Sequence, residues 1–222
     1  MPPDGPGDPP CLYHATPLHY LPHVLQSGAL YAKSVLAASG IRPRASAVRR
    51  DRMLGLADWV HLSLRPDTPL LRDKMGRGYP HALLVFAREP ILALPQVALL
   101  PFNTKAWRSR AALQPVTDDL DKAALLRRYA VTGRPPSLEV LVRYGLGLAS
   151  LTRVAFLSDD EGQQMADLLG ALTLVPPAPL VTAPALFPRA EYCPTTGDAL
   201  AAYFTQCRAA GSLLPPPDIP FD

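Results

Sequence analysis

The run Pro136-Ser137-Leu138-Glu139-Val140-Leu141-Val142 sets one carboxylate among residues that favour a buried strand. Glutamate is seldom buried without a partner, so the run either has a solvated edge or holds a charge for chemistry. Two other stretches carry functional groups at suggestive spacing. Tyr13-His14-Ala15-Thr16 closes a strand-like segment just ahead of a helical one, where polar groups can converge on a ligand; a purely structural histidine is the competing reading. Arg42, Arg44, Arg49, Arg50 and Arg52 crowd into one short segment. Planar guanidinium forks suit phosphate oxygens, whereas the plainer reading is a solvated helix face.

The elements that must hold these groups follow from periodicity and punctuation. Cys11 to Pro17 reads as a strand, and Thr16-Pro17 as a helix start with threonine as N-cap and proline at the first helical position. Leu18, Leu21, Val24 and Leu25 recur at helical spacing, and Gly28 is a natural stop. A second helix carries the arginines, followed by a strand at Asp58 to Leu64, a turn at Arg65-Pro66-Asp67 and a strand at Ala82 to Phe86. A helical patch spans Asp118 to Tyr129, and Leu151 to Leu157 reads as a strand. Ser158-Asp159-Asp160-Glu161 is a capping box opening a helix through Met165, Leu168 and Leu169. Asp198 to Ala210 reads as a last helix stopped by Gly211. The order of elements lacks a regular βαβ rhythm, which favours an α+β domain over a doubly wound sheet.

At 222 residues with 48% hydrophobic content the chain can build a real core. Its 27 prolines concentrate near the ends, so residues 1–10 are expected to be a disordered leader and 212–222 a proline-rich tail around a single domain at 11–211. No apolar run reaches the roughly 20 residues of a membrane span, and no basic-then-apolar signal pattern opens the chain, so a cytoplasmic protein is expected. Cys11, Cys193 and Cys207 are odd in number and lack CxxC spacing, which argues against a disulfide framework or a zinc site. Dinucleotide-binding, Walker, HExxH and GxSxG signatures are all absent.

Taken together, Leu12-Tyr13-His14-Ala15-Thr16-Pro17, the helix ending Ser27-Gly28-Ala29-Leu30, the arginine helix, Asp58-Trp59-Val60, Arg65 to Leu71, and Leu138-Glu139-Val140-Leu141-Val142 resemble DarT-type DNA ADP-ribosyltransferase toxins from about residue 11 to 187. The resemblance implies an ADP-ribosyltransferase-like split mixed β-sheet core with surrounding helices, consuming NAD and needing no metal. It implies Glu139 as the catalytic glutamate and Arg52 at the NAD phosphates and reacting centre, with Arg49 or Arg50 taking that place if the register slips. His14 and Thr16 match the element at the nicotinamide ribose, and Gly28 and Leu30 fall in the same NAD-binding segment. Single-stranded DNA is the implied acceptor, with Arg42, Arg44, Arg108 and Arg110 as phosphate contacts. Trp107 is a stacking platform or, equally, a core residue. A macrodomain-type ADP-ribosylglycohydrolase antitoxin is the implied partner.

The chain departs from that pattern where Asp58-Trp59-Val60-His61-Leu62-Ser63-Leu64 replaces an aromatic-rich strand. Val60-His61-Leu62-Ser63 is similar to a strand of the RNA 2′-phosphotransferases, the nearest rival of the same fold. A protein-modifying ADP-ribosyltransferase shares the same core. A non-catalytic nucleic-acid-binding module, with Glu139 solvated at a sheet edge, is the alternative from another class.

Overall fold

The computed structural model describes residues 10–40, 45–102, 104, 112–131, 138–188 and 197–217. In chain order the elements are β1 (Cys11–Pro17), α1 (Leu21–Ser27), β2 (Ala29–Tyr31), α2 (Lys33–Ala38), α3 (Ala45–Met53), β3 (Trp59–Ser63), α4 (Pro69–Gly76), β4 (His81–Ala87) and α5 (Arg88–Leu92). They continue with β5 (Val97–Leu100), α6 (Asp119–Val131), β6 (Glu139–Arg143), β7 (Gly145–Gly147), β8 (Leu151–Phe156), α7 (Asp159–Ala171), β9 (Leu180–Thr182) and α8 (Gly197–Ala210). The class is α+β, and the strands are mixed in direction. The chain divides into two compact units, each assembled from segments distant in sequence.

The first unit comprises the described residues of Met1–Gly28, Pro66–Ala87 and Ala149–Asp222. β4 lies between β1 and β8, antiparallel to both, and β9 runs parallel to β8. Ala82 to Phe86 is buried throughout, which is why the run reads as continuously apolar rather than alternating. Tyr13, Leu83, Val85, Ala155, Leu71 and Met75 share one core cluster. α7 opens as its capping box requires: Ser158 Oγ accepts the Glu161 N–H at 3.3 Å. The Glu161 carboxylate in turn accepts the Leu157 N–H at 3.2 Å. On α8, Leu200, Tyr203, Phe204 and Cys207 are buried at i, i+3, i+4 and i+7, one helical stripe.

One expected boundary is corrected. Thr16-Pro17 does not start a helix, because β1 keeps its pairing with β4 through Thr16 opposite Ala82 and Pro17 opposite His81. Proline is tolerated as the terminal residue of a strand. α1 begins at Leu21 behind Tyr20, which makes no side-chain cap, and ends at Gly28, whose φ of 70° and N–H bond to the Val24 carbonyl close it. The same dipeptide does start a helix at Thr68-Pro69, where Thr68 Oγ1 accepts the Leu71 N–H at 3.1 Å.

α1 is tied to α8 by His23, whose Nε2 lies 2.7 Å from the Tyr203 hydroxyl, which itself donates to the Leu214 carbonyl at 2.9 Å. Burial pushes His23 below its ordinary imidazole value, and hydrogen bonding at Leu214 only partly offsets this. Below pH 6.5 the unfolded chain therefore takes up a proton that the folded chain does not, so stability falls with falling pH; above it both forms are neutral and the contribution vanishes. Thermal melts between pH 7.5 and 5 are expected to fall more steeply for the wild type than for His23→Gln, which keeps a neutral donor towards Tyr203. Equal slopes would remove this account.

The second unit comprises the described residues of Ala29–Arg65 and Arg88–Leu148. β6 lies between β5 and β3, antiparallel to both, with Glu139 opposite Leu100 on one side and Ser63 on the other. β2 and β7 form a separate antiparallel pair. Leu54, Leu56, Ala98, Leu100, Leu113 and Leu141 pack into one cluster. Among the described residues no helix is long and apolar enough to cross a membrane.

Candidate active site

Glu139 is the first residue of β6, and the double pairing of that strand answers the edge question: the position is interior. The side chain does not face an open side, as a half-exposed strand would predict. Glu139 is only 5% exposed, because both neighbouring strands and Thr104 cover it. A carboxylate so placed must be satisfied by hydrogen bonds. Its Oε1 accepts both the Thr104 N–H at 3.2 Å and the Thr104 Oγ–H at 3.3 Å. Its Oε2 lies 3.0 Å from His61 Nδ1. A carboxylate only accepts, so this contact requires the tautomer with the proton on Nδ1. Oε1 is then filled by two donors, while Oε2 keeps a lone pair for a ligand.

His61 reaches Glu139 because of strand register. Ser63 pairs with Glu139 and His61 with Leu141, so His61 sits diagonally from the glutamate on the same face. The other ring nitrogen, Nε2, stands 3.9 Å from Asp51 Oδ2. Asp51, on α3 and 6% exposed, forms an ion pair with Lys33, the first residue of α2. From the same helix Arg50 donates to the Thr104 carbonyl at 2.7 Å. Six residues from five separate segments thus connect into one network, Lys33–Asp51–His61–Glu139–Thr104–Arg50. Chemically it presents a fixed, dry carboxylate beside an imidazole, an arrangement that can stabilise developing positive charge or accept a proton.

Of the arginines singled out in the sequence, Arg50 is the one the structure joins to the Glu139 network, while Arg49 and Arg52 are exposed. His14 is partly buried on β1. Thr16 is 3% exposed, and its hydroxyl oxygen has no hydrogen-bond partner among the described residues. Gly28 serves as the left-handed cap of α1, and Leu30 is buried at 4% exposure in β2 opposite Leu146. Arg42, Arg44, Trp107, Arg108 and Arg110 lie outside the described residues. Sequence reasoning did not single out Asp51, Lys33 or His61 as site residues. The signals were a lone acid within an arginine run and a histidine in the strand that later pairs with the glutamate strand. No cluster of three or more potential metal ligands occurs among the described residues.

The architecture is that of an ADP-ribosyltransferase fold. More particularly it is the fold of DarT. Thermus sp. 2.9 DarT in complex with ADP-ribosylated ssDNA superimposes with a TM-score of 0.61 at 18% identity, over 81% of this chain and 97% of that one. The same protein in complex with NAD+ gives 0.60 at 17%, over 82% and 98%. Thermosipho africanus DarTG in complex with ADP-ribose gives 0.60 at 12%, over 79% of this chain and 50% of that one. No family model and no curated protein matches the sequence.

Proposed function

We propose that the protein is an NAD-dependent mono-ADP-ribosyltransferase that modifies a base in single-stranded DNA, acting as a toxin of a toxin–antitoxin or phage-defence system. The observation that carries this reading is Glu139, an interior carboxylate held by Thr104 and His61 with one Oε2 lone pair left over. The fold shared with proteins solved with NAD+ and with ADP-ribosylated ssDNA supports it.

In this reading the bond from the ribose C1′ to nicotinamide breaks and its electron pair leaves with the nicotinamide. Glu139 stabilises the oxocarbenium-like C1′ through the ribose 2′-hydroxyl. The lone pair of a base nitrogen then closes on C1′, and the proton it sheds passes to Glu139. The target base must be unpaired or flipped, since its attacking atom is otherwise engaged in pairing. His14 hydrogen-bonds the nicotinamide ribose and Thr16 helps to place it; the unpartnered, buried Thr16 hydroxyl supports that role. Arg49 and Arg52, exposed on α3, serve the NAD pyrophosphate. A macrodomain-type glycohydrolase reversing the modification is the fitting antitoxin.

A second reading is favoured by one observation, the Val60-His61-Leu62-Ser63 strand with His61 against Glu139. It makes the protein an RNA 2′-phosphotransferase. Incubating the protein with NAD and, in parallel, single-stranded DNA, RNA bearing a 2′-phosphate, and a protein mixture separates the readings. The expected result is DNA heavier by one ADP-ribose. Phosphate transfer from the RNA, or label on protein alone, overturns the DNA assignment.

A further inference from the structure

At the end of β6 remote from Glu139 the second unit builds a surface of different chemistry. Arg143 pairs with Trp59 across β3, and its guanidinium carbon stands 5.9 Å from the Trp59 ring centre and 4.9 Å from that of Tyr144. Tyr144 has a φ of 65°, a left-handed backbone that aromatic residues rarely adopt. Two backbone bonds hold it there: its N–H donates to the Asp58 carbonyl at 2.7 Å, and its carbonyl accepts the Ala32 N–H at 2.8 Å. In that conformation the tyrosine is 51% exposed. Strain of this kind at an exposed aromatic points to a use for the ring.

Beside Arg143 runs an open cavity of about 340 Å³, lined by Trp59, Pro95, Gln96, Val97, Thr117 and Arg143. That volume is at the lower end for ligand sites and suits one ring system rather than a dinucleotide. Its walls are an indole, a proline ring and aliphatic surface. Its polar groups are the exposed Gln96 amide and the Thr117 hydroxyl, both able to bond the edge of a base. Arg143 has no ion-pair partner among the described residues, so its charge is available to an anion. An arginine laid over aromatic rings beside an open, mainly apolar cavity suits stacking of unpaired bases, with the guanidinium edge left for the adjoining phosphate.

We propose that this cavity is a stacking subsite for a base of single-stranded DNA flanking the one that is modified, with Trp59 as the platform in its wall, the exposed Tyr144 beside Arg143 as a second platform outside the lining, and Arg143 as the phosphate contact. Four residue steps of extended strand lead from Glu139 to Arg143, about 13 Å, so the base held here is a neighbour of the target and not the target itself. The choice of DNA rests on the transferase reading above; the stacking and charge rest on the cavity alone.

The chain has two tryptophans, so a Trp107→Phe background leaves Trp59 as sole reporter. Titration with an unlabelled deoxyoligonucleotide is expected to quench Trp59 fluorescence saturably. In the same background, Arg143→Ala and Tyr144→Asn, the latter compatible with the left-handed backbone, are each expected to weaken oligonucleotide binding about ten-fold. The KM for DNA rises with it, while the KM for NAD does not. Matched melting curves exclude misfolding as the cause. Quenching and the mutant effect without any ADP-ribose transfer would uphold the subsite and sink the transferase reading. Transfer to DNA with no quenching and unaltered affinity in both variants would uphold the transferase and sink the subsite. Equal binding of RNA of the same sequence overturns the commitment to DNA.

Discussion

Glutamine in place of Glu139 is expected to leave the protein folded while ADP-ribose transfer falls by about 10²–10⁴-fold, the span over which a positioned proton acceptor and a preorganised charge act. The substitution is close to isosteric. A glutamine carbonyl oxygen can keep both Thr104 bonds, and its amide can face His61 once the imidazole moves its proton to the other nitrogen. The strand pairing of position 139 with Ser63 and Leu100 involves only backbone. On the proposed mechanism, what disappears is the negative charge beside C1′ and the base for the incoming proton. Single-turnover transfer at saturating NAD, with a melting curve on the same sample, is the measurement. Full activity in a folded Glu139→Gln protein would remove this residue from the chemistry.

Asp51→Ala has a different signature, damaging both stability and catalysis. The Asp51 side chain lies between the Lys33 ammonium and His61 Nε2 and is 8% exposed. Truncating it leaves the Lys33 ammonium without its counter-charge and removes the negative charge facing His61 Nε2. Lys33 is 30% exposed and recovers part of its hydration, so the cost is set at about 1–3 kcal/mol, below that of breaking a fully buried pair. Urea denaturation is expected to show a lower midpoint with an unchanged slope. The double variant Lys33→Met, Asp51→Leu removes both charges and should regain much of the stability but not the activity, since the negative charge facing His61 is still missing. An Asp51→Ala protein with a wild-type midpoint would mean that the pair contributes nothing.

Much of the fold was legible because its signals are local. The stripe of Leu200, Tyr203, Phe204 and Cys207, the Ser158 box and the continuous Ala82 to Phe86 run each declare their element within a dozen residues. Thr16-Pro17 and Thr68-Pro69 mark the limit of such reading. The dipeptides are identical, yet pairing with β4 keeps the first in a strand while the second caps a helix. The short helices α2, α4 and α5 escaped because so few turns give too short a periodic pattern to read. In the site, Glu139 stood out as a charge among strand formers. Its supports did not, because Lys33, Asp51, His61 and Thr104 meet it only through register and loop closure between segments distant in sequence.

The pairing of β1, β4 and β8 also bears on how the chain reaches this state. His14 meets Leu84, and Leu84 meets Val154, so each ladder closes a loop of about seventy residues. Between those strands the chain departs to build the second unit and then returns. Contacts of such long range slow folding, because closure entropy is paid before any pairing repays it. During synthesis on the ribosome the strand bearing His14 waits with an unfilled ladder until β4 has emerged, and β4 waits for β8. The sheet of the first unit is therefore completed only when the last third of the chain has been made, which ties its assembly to the end of synthesis rather than to its beginning.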